Sequence, residues 1–488
     1  MQAMRRSRPM RQSMKTEAVG RNLSGLSIFY RAAMLITVAS IAMAACTSYA
    51  PLELPTQSDL ATDVATLVVQ PVALGPQDWP AHRFDPSNGF DGIEIATLAV
   101  ANNPALRTAR AGLGVNQAQA VAAGLLPDPL LSLSRDFPFS AAPGLTSAFS
   151  LGLGFDLSSL LTRPAAERAA QSELRGARLS LLWQEWQVIG QARLLFSRAL
   201  AADGNEALLQ AQRSLLNERF EQARRALARG DMTIDTEAGY RTALDDIDRQ
   251  LSELGRTRDI GLEDLNALLG LRAGTRLKLV DDVTRNAPVD AAAVSAQMRD
   301  LPQRRPDLLA LKAGYEAQDQ RLRQAILAQF PALNLGLTRA RDTAGLQTRG
   351  FTLGLTLPVF NRNRGSIAIE SATRAKLRAE YQARLDAAQT GIERILLALP
   401  AQSRRLRQVE QGLRFLAPAA EAAQRAFKAD AIDVLTYTNL QAALLAKRQE
   451  AAALRQSIAE QNLALQTLLG GSLPTAPDSP SSTTSAAP

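Results

Sequence analysis

The stretch FSLGLGFDL, residues 149–157, alternates with a period of two. Phe149, Leu151, Leu153, Phe155 and Leu157 fall on one side, and Ser150, Gly152, Gly154 and Asp156 on the other. Successive side chains of an extended strand point to opposite faces, so this is a strand with one greasy face and one small, polar face. The same signal returns at 351–359 as FTLGLTLPV, where Phe351, Leu353, Leu355 and Leu357 interleave with Thr352, Gly354 and Thr356. The two stretches lie 202 residues apart.

That offset persists outward. NPALRTARAG (103–112) aligns with RPDLLALKAG (305–314), pairing Pro104 with Pro306, Leu106 with Leu308, Ala111 with Ala313 and Gly112 with Gly314. Pro129, Leu131 and Leu133 fall on Pro331, Leu333 and Leu335 at the same distance. LNALLG (265–270) falls on LQTLLG (465–470) at an offset of 200. A register held over so long a span with one small slip is a tandem duplication.

Each copy reads in the same order. A helix over 93–124 or 305–328 leads into two strands, 129–136 with 147–157, or 331–339 with 350–359. A long helical region over 164–229 or 366–430 follows, and a last helix over 233–270 or 433–470 closes the copy. The expected organisation is a leader over 1–45, an N-terminal extension over 46–92, a first repeat over 93–270, a linker over 271–303, a second repeat over 304–470 and a disordered, low-complexity tail over 471–488. The fold class is mainly α with transmembrane β.

An isolated two-faced hairpin reads as half of a soluble core. Here it occurs twice, each time between long helices, and its strands have about the ten residues that a tilted strand needs to cross a bilayer. A sheet in lipid must close, because unpaired backbone groups are not tolerated there. Four strands cannot close a barrel, whereas three copies would supply twelve. The greasy set would face lipid: Phe149, Leu151, Leu153, Phe155, Leu333, Leu335, Phe351, Leu353 and Leu355. The small polar set would line a lumen. Asp156 is expected to mark the end of the barrel nearest the helices.

The helical region is rich in Ala, Leu, Gln, Glu and Arg, and after Pro164 the stretch to 229 contains no proline. At about 1.5 Å per residue it would reach roughly 100 Å, too long for one compact globule. Pro400 and Pro418 predict local interruption of the second long helix.

The chain is basic, with 55 Lys and Arg against 47 Asp and Glu. Seven of the basic residues and one acid lie in residues 1–45, leaving 48 against 46 elsewhere. That near-neutral remainder does not point to a nucleic-acid partner. The basic leader runs into RAAMLITVASIAMAAC (31–46), an apolar stretch too short to span a bilayer comfortably, which reads as a secretory signal. Cys46, the single cysteine, closes it after Ala44 and Ala45, in the manner of a bacterial lipobox with Met43 where Leu is usual. The expected lipidation site is therefore Cys46.

Taken together, the duplicated order and the run LTLPVFNRNRGSIAIESA (355–372) resemble the outer membrane factor, or TolC, family of efflux proteins. The resemblance covers residues 90–470. It implies a homotrimer with a twelve-stranded barrel in the bacterial outer membrane and a long α-helical barrel in the periplasm. It further implies an acylated N-terminal cysteine and two partners, a periplasmic adaptor and an inner-membrane pump. The family's docking tips correspond to the turns ARGDMTIDTEA (228–238) and KADAIDVLTYT (428–438), here Gly230, Asp231, Thr233, Asp430 and Ala431. Asp430 stands where a glycine is usual. IDVLT (432–436) resembles the place where some members ring the closed pore with two aspartates, giving Asp433 and Thr436 as the gate, with Thr436 in place of the second acid. Asp433 also reads as the N-cap of the last helix, and the two roles are compatible. NRNRG (361–365) leans toward the metal-cation exporters of the family.

No enzyme is expected. A single His, His82, and a single Cys leave no Cys–His pair and no His-rich metal site, and Gly152-Leu153-Gly154 lies inside a strand without the third glycine of a dinucleotide loop. No cofactor and no resident metal are implied. Two functions compete: an outer-membrane exit duct for efflux, and a periplasmic coiled-coil adaptor or structural lipoprotein without a pore. An adaptor should carry one helical hairpin between unrelated β domains, not two copies of helix–hairpin–helix.

Overall fold

The computed structural model describes residues 49–68, 84, 88–139, 144–281, 289–429 and 431–471. The chain divides into two units, Met1–Asp59 and Leu60–Pro488. In the first, residues 49–59 are exposed and carry no helix or strand. The expected signal segment, Cys46, Asp430 and the tail from 472 onward lie outside the described residues.

The second unit holds the repeats. Helices α1 (Gly92–Asn102) and α2 (Pro104–Ala123) lead into strands β1 (Leu130–Asp136) and β2 (Ala148–Asp156). The long α3 (Ser158–Ala228) and then α4 (Ile234–Leu268) complete the first copy. Two short helices, α5 (Ala291–Arg299) and α6 (Leu301–Arg304), occupy the stretch read as a linker. The second copy is α7 (Pro306–Leu327), β3 (Ala332–Arg341), β4 (Gln347–Thr356), α8 (Arg364–Lys428) and α9 (Val434–Leu469). The duplicated order is thus present element by element.

Three details differ from the sequence reading. The expected helix 93–124 is broken at Asn103, because Pro104 takes the first position of α2 and pushes the residue before it out of helical geometry. Asn103 then caps α2, accepting from the Leu106 N–H at 3.0 Å. The long helix starts at Ser158, not at 164, with Pro164 inside it. The Asp156 carboxylate accepts the Ser158 N–H at 2.9 Å and so stabilises that earlier start. Finally, α8 runs unbroken through Pro400 and Pro418. Both prolines are exposed, so their rings lie on an outer face of the helix.

The four strands form one antiparallel sheet in the order β1-β2-β3-β4, so the hairpins of the two copies pair through β2 and β3. At 71 and 65 residues, α3 and α8 are each roughly 100 Å long at about 1.5 Å per residue. Alanines at their contacts, among them Ala192, Ala388, Ala420 and Ala423, are buried and let the helices approach closely.

The core is itself duplicated. Leu265 and Leu269 anchor one buried cluster with Leu98, Ala192 and Leu271. Leu465 and Leu469, at the equivalent places, anchor another with Leu308, Ile392 and Leu399. Gly270 and Gly470 end α4 and α9 with φ of +71° and +68°, a conformation glycine adopts without penalty. The Asn103 amide donates to the Leu268 carbonyl at 3.0 Å, and Arg305, 202 residues later, donates to that of Leu468 at 2.9 Å. The same joint is made twice with different side chains.

Arg305 in the second joint is buried and bound to Asp307 through both Nε (2.9 Å) and Nη2 (2.7 Å). Its guanidinium also stacks 4.7 Å from the Trp183 ring centre of α3. Arg384 of α8 reaches the same carboxylate at 2.7 Å. Burial alone pushes the Asp307 carboxyl up, but the bonds and charges of Arg305 and Arg384 outweigh it and hold the group below its ordinary value. One carboxylate therefore ties α7, α8 and α9 together and, through the arginine, α3.

Candidate functional site

The sheet separates its two faces cleanly. Register places Leu131, Leu153, Leu337 and Phe351 side by side across the four strands. The next row toward the helices joins Phe155, Leu335 and Leu353, and the one beyond pairs Leu333 with Leu355. All nine greasy residues singled out in the sequence therefore share one face. Most of it is bare: Phe351 is 77% exposed and Leu353 52%, a contiguous apolar surface that a water-soluble monomer rarely shows. Phe155 and Leu333 are half-buried. Leu131, Leu133 and Leu337 continue the same alternation onto this face.

The opposite face carries Ser132, Gly152, Thr338 and Gly350 in one row, and Leu130, Gly154, Gly336 and Thr352 in the next. Apart from Leu130 at the edge of these rows, it is small and polar. Asp156 sits at the last paired position of β2, opposite Asn334, and its carboxylate binds the first residue of α3. It marks the junction of strand and helix.

At the far end of the long helices two turns are built alike. The Asp231 N–H reaches back to the Ala226 carbonyl at 2.9 Å, and the Ala431 N–H to the Ala426 carbonyl at 2.8 Å, the same helix-ending bond 200 residues apart. Gly230 takes φ +78° at the bend. Gly230, Asp231, Thr233 and Ala431 are all exposed. Arg229 donates to Asp231 at 3.0 Å across the turn.

The last helices begin in parallel fashion. Thr233 precedes α4 and shares a 2.9 Å hydroxyl contact with Thr236. Asp433 precedes α9 and accepts both the Thr436 N–H at 2.8 Å and the Thr436 hydroxyl at 2.9 Å. The helix-cap reading of Asp433 therefore holds, and the structure brings it together with Thr436. Phe427 and Tyr437 stack across the turn with ring centres 4.7 Å apart. Burial raises the Tyr437 phenol above its ordinary value, and the Glu218 carboxylate of α3 adds to this.

The NRNRG run has a local explanation. Arg362 and Asn363 both adopt positive φ, 47° and 52°, in the turn between β4 and α8. The Asn363 amide donates to the Ala325 carbonyl of α7 at 2.8 Å, closing that corner. Asparagine tolerates this backbone better than most residues. The geometry accounts for Asn363 without reference to any cargo.

Among the described residues no helix is long and apolar enough to cross a membrane, and no group of three His, Cys, Asp or Glu could hold a metal ion.

Comparison with known proteins bears on this arrangement. The family profile described as outer membrane efflux protein matches residues 298–471. The chain is similar to outer membrane protein OprJ of Pseudomonas aeruginosa, at 29% identity over 35% of this chain and 35% of that protein. It is also similar to the pyoverdine export outer membrane protein OpmQ of Pseudomonas putida, at 30% identity over 34% of this chain and 37% of that one. The matches thus span about a third of the length of these curated relatives. The fold likeness is far more extensive. The outer membrane protein VceC of Vibrio cholerae superposes with a TM-score of 0.63 at 19% identity, over 78% of this chain and 96% of VceC.

Proposed function

We propose that this chain, which carries the outer membrane efflux protein signature over residues 298–471 and the fold of the outer-membrane channels over most of its length, is the exit duct of a tripartite efflux system. The observation that carries the reading is the four-stranded sheet with one bare apolar face and one small polar face, set at the end of helices roughly 100 Å long. Four strands leave two open edges, β1 and β4, which lipid does not tolerate. Three copies would close them into twelve strands around one lumen. The apolar face then meets lipid, the polar face lines the pore, and the helices continue it into the periplasm.

On this reading the chain catalyses no reaction, and its work is passage. Cys46 is the lipid-anchored N-terminus at the outer membrane. Gly230, Asp231, Thr233, Asp430 and Ala431 form the tips that meet a periplasmic adaptor, which connects the duct to an inner-membrane pump. Asp433 and Thr436 of three chains form the periplasmic gate, with Thr436 holding the Asp433 carboxylate in place. The adaptor and poreless-lipoprotein alternatives do not account for the two paired hairpins.

Conductance in planar bilayers tests the proposal. The full-length protein is expected to form discrete channels when reconstituted. Stable insertion without any conductance, including after Asp433→Ala relaxes the gate, would overturn it.

A further inference from the structure

The apolar face of the sheet ends in arginines. Beyond the row of Leu131, Leu153, Leu337 and Phe351, the next row reads Leu133, Leu151, Arg339, Arg349. The row after it reads Arg135, Phe149, Arg341, Gln347. Four guanidinium groups therefore stand on the same face as the leucines, at the end next to the hairpin turns. The helices leave from the opposite end, where Asp156 binds Ser158.

Among the described residues this arrangement has no compensating ion pair. Arg339 and Arg349 are direct cross-strand partners, on strands about 4.8 Å apart. Like charges in that position repel, and arginine cannot relieve the repulsion by losing its proton. All four arginines are exposed, and none forms an ion pair among the described residues. The partners of two of them are neutral hydroxyls: Arg135 reaches Ser147 and Arg341 reaches Thr146, each at 3.3 Å. The acids next to them in sequence, Asp136 and Asp342, are placed elsewhere. Asp342 accepts the Ala344 and Leu346 N–H groups within its own turn, at 2.9 and 2.8 Å. Asp136 alternates onto the opposite face, paired with Ala148.

An anion for this row would come from whatever covers the face. The same surface supplies apolar contact immediately below the charge, and Arg135 lies 5.1 Å over the Phe137 ring, so an aromatic flanks the row. Greasy below, cationic above and aromatic at the boundary is the profile of a chain-and-headgroup ligand, and guanidinium groups bind phosphate bidentately. We propose that Arg135, Arg339, Arg341 and Arg349 form a binding site for the phosphorylated headgroup of a membrane lipid, on the distal rim of the sheet. This rests on the channel reading, which assigns the apolar face to lipid and the hairpin end to the outer leaflet.

The test uses the full-length protein in nanodiscs of phosphatidylcholine, with and without lipid A. The readout is the thermal midpoint of the assembly and the lipid A retained in native mass spectrometry. Lipid A is expected to raise the midpoint of the wild type, whereas lipid A stripped of both phosphates and inorganic phosphate at equal concentration should not. The double variant R339Q/R349Q, relieved of the mutual repulsion, should show a midpoint in phosphatidylcholine at or above that of the wild type and lower lipid A retention by on the order of tenfold. Should that variant fail to assemble, R135Q/R341Q reads the same site from its other row. Equal retention in wild type and variants, or an equal rise with the dephosphorylated lipid, would overturn the proposal. A rise with inorganic phosphate alone would overturn the lipid assignment in favour of a free-anion site. Failure of the wild type to insert into phosphatidylcholine discs would instead contradict the channel reading itself.

Discussion

At the scale of single residues, Asp433 carries two assignments that one substitution can separate. Its carboxylate caps α9, and its charge is proposed to ring the gate. Asparagine caps helices about as well as aspartate but has no charge, whereas alanine does neither. Asp433→Asn is therefore expected to keep thermal stability and lose cation preference in bilayer recordings. Asp433→Ala should lose the same preference and also about 1 kcal/mol of stability. Unchanged ion selectivity in both variants would leave only the cap. Asp307 offers a second residue-scale prediction. Its folded-state pKa is lowered, so its contribution to stability is complete above the ordinary carboxylate range and is lost as pH falls through the lowered value. Asp307→Ala leaves Arg305 buried without its anion, and breaking such a pair costs about 3–5 kcal/mol. Asp307→Asn should flatten the acid limb of a stability-against-pH curve, and an unaltered limb would refute the assignment.

At the scale of elements, the strands were legible because their pattern is written in side-chain size. Phe351, Leu353 and Leu355 against Thr352 and Gly354 fix a face whatever the exact ends, and the ends moved: β4 spans Gln347–Thr356, not 350–359. The long helices were legible in position and approximate length, but not the interruption at Asn103 or the two short helices in the linker. A proline breaks a helix where its neighbour must leave helical geometry, as at Asn103, and is carried inside an unbroken helix at Pro400 and Pro418, both exposed. Sequence alone does not say which side of a helix is wet. The two turns proposed for docking and gating were picked out by the family resemblance, and their likeness to each other reaches single bonds, Asp231 to Ala226 and Ala431 to Ala426. The arginine row escaped notice because the alternation was read for its leucines, although Arg135, Arg339 and Arg341 continue the same parity. The two faces predict opposite responses to charge. Leu353→Arg places a cation on the proposed lipid face at a cost of about 2–4 kcal/mol near mid-depth, and membrane assembly should fail or fall sharply. Thr352→Arg, on the proposed lumen face, should assemble. Equal yields of heat-resistant assembly from both variants would contradict the assignment of faces.

At the scale of the whole molecule, the single chain is an incomplete object. Its sheet has two free edges and a bare apolar face, and two long helices stand with much of their length exposed. The four strands follow from the duplication, two from each copy, and on the proposed reading further strands come from other chains. The fold of the monomer is shared with the outer membrane protein VceC over most of its length, so the claim that matters most concerns copy number. Native mass spectrometry of the full-length protein, released from membranes in mild detergent, measures it directly. Three chains per particle, heat-dissociable to one, is the predicted result. A single chain that stays in solution once lipid and detergent are removed would contradict it.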